Sequence, residues 1–146
     1  MYDLIIIGGG PAGLSAAVYA ARFNMKTLLI SKEIGGYMNE APKIGNYPGI
    51  TEISGLELAK KMEEQIKKLG VKIIEEEIAE VKKDFSVKTK SNKEFKGKNI
   101  LLALGTQRRK LEVKGEDEFS GQGETNRRLD RKQSIRKPSR LGCETF

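Results

Sequence analysis

Three glycines near the start of the chain, spaced Gly8-x-Gly10-x-x-Gly13, form the pattern best suited to chemistry, and that chemistry is recognition of a pyrophosphate. Each has its own task. The first permits a tight turn, the second lets phosphate approach the backbone, and the third lets a helix pack closely on a strand. Pro11 and Ala12 open the helical stretch, whose free N–H groups and positive dipole end would face the phosphates. In dinucleotide folds an acidic residue near the end of the second strand often holds the adenosine ribose. Here Ser31 and Lys32 come first and Glu33 follows. A serine hydroxyl can bond a ribose and Lys32 suits an extra phosphate, but an ordinary strand exit explains the same residues equally well. Other chemistry is excluded by composition. With no histidine and a single cysteine, Cys143, the chain has no internal disulfide, no His- or Cys-rich metal site and no Ser–His or Cys–His couple.

The elements that must position these residues follow from apolar patterning. Leu4-Ile5-Ile6-Ile7 shows no alternation and reads as a strand covered on both faces. A helix from Pro11 ends near Asn24, and Lys26 to Ser31 reads as a second strand, completing a βαβ unit of about thirty residues. Residues 34–53, with Gly35-Gly36, Pro42, Gly45, Pro48 and Gly49, read as a long loop of the kind that is usually functional. Ser54 and Glu57 form a capping box for a helix with Ala59, Met62, Ile66 and Leu69 on its core face and Gly70 as its stop. Glu57/Lys61, Glu63/Lys67 and Glu64/Lys68 lie four apart on its exposed side. Val71 to Glu75 is the next strand, and Glu75-Glu76-Glu77 a solvated connection. Segments 78–83, 85–90 and 94–98 form an antiparallel meander with turns at Asp84 and Ser91-Asn92; Asn99 to Leu104 returns as a buried strand ending in Gly105-Thr106. The expectation is an α/β fold: a Rossmann-like parallel sheet with a small antiparallel β-meander and an irregular C-terminal tail.

A chain of 146 residues has room for one domain with a real core. Its net charge of +7 is unevenly spread: residues 1–120 carry 20 basic against 17 acidic side chains, and residues 121–146 carry 7 against 3. In the body Lys and Glu alternate as on a solvated surface, which argues against nucleic-acid binding. Leu4 to Ala21 is uncharged, yet its glycines and Pro11 make a poor membrane span, and Asp3 stands where a secretory signal needs a basic residue. A soluble, cytoplasmic chain without membrane contact is expected. Domain bounds of 1–120 and 121–146 follow, because the lysine-rich body gives way to an arginine-rich tail in which apolar periodicity stops. Two readings of that tail stay open: a natural basic, disordered segment, or a stretch translated out of frame from near Gly123.

Several separate motifs together resemble the thioredoxin reductases, flavoproteins of the pyridine nucleotide-disulfide oxidoreductase superfamily. They are Gly8 to Gly13, Gly35-Gly36, Ile44-Gly45-Asn46-Tyr47-Pro48-Gly49, the helix from Gly55, Ala103-Leu104-Gly105-Thr106 and Lys114-Gly115-Glu116-Asp117-Glu118-Phe119. The likeness covers residues 1 to about 123. It implies an FAD/NAD(P)-binding fold with the FAD pyrophosphate on the turn from Gly8 through Gly10, Pro11 and Ala12 to Gly13. It places the adenosine ribose by Ser31, Lys32 and Glu33, and the flavin side of the cofactor by Gly35 and Gly36. Tyr37 stands where the family usually has Gln. Asn46 matches the Asn near the isoalloxazine, and Gly45 replaces a usual acidic residue before it. Ile78 falls where main-chain groups meet the adenine. Ala103, Gly105 and Thr106 match the strand end beside the cofactor, with Leu104 as a departure. The glycines alone suit NAD as well as FAD; Asn46 and Gly105-Thr106 favour flavin.

By the same resemblance the activity is NAD(P)H-dependent disulfide reduction. Electrons pass from NADPH or NADH to FAD, to a Cys-x-x-Cys pair and then to a thioredoxin-like protein. Two adjacent thiols are needed because one hydride reduces one disulfide. The family's cysteines would fall near Arg127 and Asp130, so no catalytic residue is assigned in this sequence, nor is a metal. The second nucleotide domain and the C-terminal segment that completes the FAD domain are missing too. This chain alone is expected to be inactive: an FAD-binding part, with a non-catalytic FAD or ADP-binding module or an inactive truncated product as the alternative. Members of the family are typically homodimers, so a homodimer is the expected assembly.

Overall fold

The computed structural model describes residues 1–106, which form one compact unit. The motif at 114–119, Cys143 and the tail beyond 120 lie outside the described residues. Strand β1, Tyr2–Gly9, leads through the glycine turn into helix α1, Pro11–Arg22, and on to strand β2, Thr27–Ile34. Helix α2, Gly55–Lys68, then precedes four strands: β3 (Lys72–Glu75), β4 (Ile78–Val81), β5 (Ser86–Thr89) and β6 (Glu94–Leu102). The sheet order is β3-β2-β1-β6-β5-β4. β1 is central, with β2 and β6 parallel on either side and β3 parallel beyond β2; β4, β5 and the start of β6 pair antiparallel. No described helix is long and apolar enough to cross a membrane.

The unalternating run in β1 is explained by two cores, one on each face of the sheet. Ile6 and its β2 neighbour Leu29 pack with Leu14 and Ala17 of α1 and Leu58, Met62 and Ile66 of α2. Ile5, Ile7, Leu28 and Ile30 point the other way, onto Val87 of β5, with Ile78 and Phe95 at the margin. The meander therefore plays on one face the covering part that the helices play on the other. Full burial of four such strand residues contributes about 2 kcal/mol each, which fixes the register.

The helix ends match their sequence signals. Asn24 takes a left-handed conformation (φ 56°) just past α1, as asparagine can at a helix stop. The Ser54 side chain accepts a bond from the Glu57 N–H at 3.2 Å, and Gly70 (φ 81°) follows α2. Of the three spaced charge pairs, Glu63–Lys67 is the one seen as an ion pair, at 2.5 Å.

Several expectations are corrected. Residues 94–98 and 99–104 are not two strands: β6 is continuous, antiparallel to β5 over its first residues and parallel to β1 from Gly97 onward. Gly97 stands where β6 begins to pair with β1. Its place is set by close approach, because a Cβ there would lie 2.9 Å from Ile5 Cγ1. Nor is the return segment fully buried: Ile100 and Leu101 pack against the two cores, but Leu102 and Leu104 are 61% and 68% exposed. Leu69 is half-exposed rather than core, since α2 ends one residue earlier, and the buried Leu58 takes its share of the stripe. The 34–53 loop contains a 3-10 turn at Gly36–Glu40 and a small hairpin with bridges Ile44–Ile53 and Tyr47–Ile50. Finally, the glutamate run is not merely solvated. The Glu76 carboxylate accepts from Ser91 Oγ and Lys93 Nζ, and Glu77 pairs with Lys90 at 2.8 Å, tying the connection to the meander.

Candidate functional site

The chain runs from β1 to β2 on one side of the sheet's centre and returns through β6 on the other. The direction of strand order reverses at β1, and in such sheets ligands bind beyond the carboxyl ends of the strands at that point. The glycine turn lies there.

The three glycines meet three different surroundings. Gly8 has φ 115°, and a Cβ on it would fall 2.2 Å from the Ala103 carbonyl oxygen, so glycine lets β1 and β6 close at their ends. The Ala103 N–H donates to the Ile7 carbonyl at 2.8 Å and seals the same junction. A Cβ on Gly13 would lie 1.9 Å from the Gly8 carbonyl oxygen; the helix is pressed onto the turn. Gly10 is the opposite case. It has ordinary φ −74°, and nothing lies within 4 Å of where its Cβ would be. The space beside the Gly10 backbone is thus open, while the positions before and after it are packed shut.

Gly10 is also the N-cap of α1, and no side chain caps the helix. Pro11 has no N–H, and no acidic residue lies in the first turn. The remaining first-turn N–H groups and the positive end of the helix dipole are left for an anion. A phosphate fits this set of donors by charge and by access.

The end of β2 is fastened to the turn. Pairing runs from Ile7–Ile30 to Gly9–Ile34, so Gly8 alone stands opposite Ser31, Lys32 and Glu33, and β2 bulges. β2 does not end at Ser31 as expected: pairing resumes because the Gly35 N–H donates to the Gly9 carbonyl at 2.8 Å. Within the bulge, Ser31 Oγ accepts from the Gly9 N–H at 2.9 Å and donates to the Glu33 carbonyl at 2.6 Å. Lys32 and Glu33 are exposed. The Glu33 carboxylate accepts from Asn39 Nδ2 at 2.9 Å, and the same amide reaches the Ile34 carbonyl at 2.8 Å. A Cβ on Gly36 would lie 3.9 Å from Gly10 Cα, so the double glycine stands beside the turn.

The other expected residues are placed less closely. Tyr37 is about half-exposed on the 3-10 turn that begins at Gly36. Asn46 is exposed, just before a tight turn closed by the Ile50 N–H and the Tyr47 carbonyl at 3.1 Å. Pro48 and Gly49 (φ 83°) occupy the central positions that a type II turn requires. Ile78 packs its side chain against the second core and stands opposite Thr89 of β5. Gly105 (φ 67°) and Thr106 are exposed past the end of β6. The structure brings together Gly8, Gly10, Pro11, Ala12, Gly13, Ser31, Gly35, Gly36 and Ala103.

Two contributors were not expected: Gly9, whose N–H and carbonyl are both bound by the β2 end, and Asn39, whose amide orders the bulge. Nothing in residue type or spacing separates Asn39 from a surface asparagine. Gly9 was hidden within a run of three glycines. No group of three or more acidic, His or Cys side chains suited to a metal exists among the described residues. Among the described residues, hydrogen bonds lower the pKa of Asp3 (from Lys98), Glu76 (from Lys93), Glu77 (from Lys90) and Asp84 (from Ser86). The Lys93 ammonium, with Ser91, holds Glu76 down to about 2.

The chain matches the family model described as pyridine nucleotide-disulphide oxidoreductase over residues 2–141. It is 43% identical over 126 residues to the thioredoxin reductase of Bacillus subtilis (strain 168), covering 84% of this chain and 40% of that protein. The thioredoxin reductase of Aquifex aeolicus is 41% identical over 131 residues, with the same coverage. Among solved structures, Lactococcus lactis thioredoxin reductase superposes with a TM-score of 0.74 at 44% identity, covering 82% of this chain and 40% of that one. A ferredoxin-flavin thioredoxin reductase from Clostridium acetobutylicum gives 0.65 at 32% identity, covering 84% and 43%. The chain spans about two fifths of the length of these relatives.

Proposed function

The chain belongs to the pyridine nucleotide-disulphide oxidoreductase family, and from that premise we propose that it is the FAD-binding part of an oxidoreductase of thioredoxin-reductase type. One observation carries the reading: the open face of Gly10 at an uncapped helix start, between Gly8 and Gly13, where no side chain can be added. A cradle of this form fits a pyrophosphate and the close approach of its oxygens to main-chain N–H groups.

In this proposal Gly10, Ala12 and Gly13 bind the pyrophosphate, and Pro11 fixes the helix start without competing as a donor. Ser31, Lys32 and Glu33 border the adenosine ribose, and the Ile78 main chain meets the adenine. Gly35, Gly36, Tyr37 and Asn46 border the flavin side, with Ala103, Gly105 and Thr106 at the β6 end. Bound there, FAD would supply two-electron hydride chemistry between NADPH or NADH and a disulfide. The chain's own residues hold and orient; none of them is proposed to react. Two adjacent thiols are required for the disulfide step, and this sequence has only Cys143. The acceptor of the whole enzyme is a thioredoxin-like disulfide protein, the setting is cytoplasmic, and a homodimer is the proposed assembly.

The single cysteine also favours a second reading, a module that holds FAD or its ADP half without turnover. One experiment separates the two. The full chain is purified, its flavin absorbance recorded, and NADPH added without oxygen. Bound flavin that bleaches supports the enzyme, bound flavin that persists supports the module, and absence of flavin after incubation with FAD contradicts both.

A further inference from the structure

The end of β2 departs from the arrangement in which a strand-end acid meets a ribose. The Ser31 hydroxyl receives the Gly9 N–H and gives its proton to the Glu33 carbonyl, at 2.9 and 2.6 Å. The Glu33 carboxylate, twenty residues after Gly13, accepts from the Asn39 amide. The Gly9 carbonyl accepts from the Gly35 N–H. Both polar groups of Gly9, the residue between the packed Gly8 and the open Gly10, are therefore held by the bulge that Ser31 closes. A Cβ on Gly9 would meet Ser31 Cβ at 3.0 Å and the Glu33 carbonyl oxygen at 2.9 Å, so bulge and turn are in direct contact.

Resting on the nucleotide-binding reading above, we propose that Ser31 is a positioning residue for the pyrophosphate turn. Its hydroxyl staples the turn to the β2 bulge and sets the direction of the Gly10 backbone; it does not bind the ribose. The hydroxyl has one proton, which is already donated, so a ribose hydroxyl would have to compete with the Glu33 carbonyl for it. Removing the hydroxyl takes from the Gly9 N–H its acceptor in a partly buried place, and the turn loses its fixed geometry.

The test combines amide exchange with a binding cycle on the full chain. In the unliganded protein, Ser31→Ala should speed Gly9 amide exchange about tenfold or more, and Ser31→Thr should restore protection. ADP should bind Ser31→Ala about tenfold more weakly than wild type, with Ser31→Thr near wild type. The decisive comparison is between ADP and its 2′,3′-dideoxy analogue. A staple predicts that the losses from variant and analogue add on a logarithmic scale; a direct ribose contact predicts that Ser31→Ala ignores the missing hydroxyls, which would overturn the inference. Unchanged Gly9 protection, or lost protection with unchanged ADP affinity, also overturns it. Ser31→Cys, which keeps the volume and weakens the bonds, repeats the cycle should the alanine variant fail to fold. A wild-type chain that binds no ADP contradicts the reading beneath and this inference with it.

Discussion

At the scale of single residues, the glycine turn separates the demands of folding from those of binding. Gly13 serves the fold: any Cβ there meets the Gly8 carbonyl oxygen at 1.9 Å, so backbone must move. Gly13→Ala is expected to cost about 3 kcal/mol, read as a lowered denaturant midpoint. Gly10 serves the ligand. Its φ of −74° suits alanine and its surroundings are empty, so Gly10→Ala should cost no more than about 1 kcal/mol, the difference between the two as N-caps. The same methyl would stand where phosphate approaches, and FAD affinity should fall at least about tenfold. Titrations on both variants check the contrast: a Gly10→Ala chain that unfolds, or that binds FAD as wild type does, refutes it. The pattern Gly8-x-Gly10-x-x-Gly13 made these roles legible because each rests on a missing Cβ. Ser31 was less legible, since a hydroxyl suits a ribose and a backbone staple alike. Only the bulge geometry separates the two.

At the scale of elements, local signals and long-range ones behaved differently. The capping box at Ser54 and the stops at Asn24 and Gly70 depend on neighbours within one turn, and the structure shows all three. Ser54→Ala should remove about 1 kcal/mol by thermal unfolding, because the Glu57 N–H loses its acceptor. The two halves of β6 and the extension of β2 depend on partners far along the chain, Ile5 and Gly9, which periodicity does not reveal. The meander's attachment was likewise hidden in a glutamate run that resembles any solvated link. It makes stability pH-dependent with a definite sign. The Lys93 ammonium and the Ser91 hydroxyl hold the Glu76 pKa at about 2, below the ordinary 4.5. Its contribution is complete above the ordinary value and is lost as pH falls through the interval down to about 2. Glu76→Gln should therefore flatten the acid limb of a melting-temperature profile while shifting it little near pH 2. An unaltered limb would show that this carboxylate does not link the connection to the meander.

At the scale of the whole molecule, residues 1–106 form a sheet with a core on each face and the open glycine turn at its centre. Asp3 ties β1 to the strands on either side of it, accepting from the N–H of Lys26, just before β2, and from Lys98 Nζ of β6. Leu102 and Leu104 are exposed at the end of β6. The chain spans about two fifths of the length of its relatives, and in the proposed reading it supplies the part that holds the cofactor. The claim at the centre of this account is that the open turn at Gly10 holds FAD through its pyrophosphate. Titrating the full chain into FAD and following flavin fluorescence tests it directly. The account predicts saturable one-to-one binding that ADP displaces in competition and riboflavin does not; no saturable binding, or binding indifferent to ADP, would contradict it.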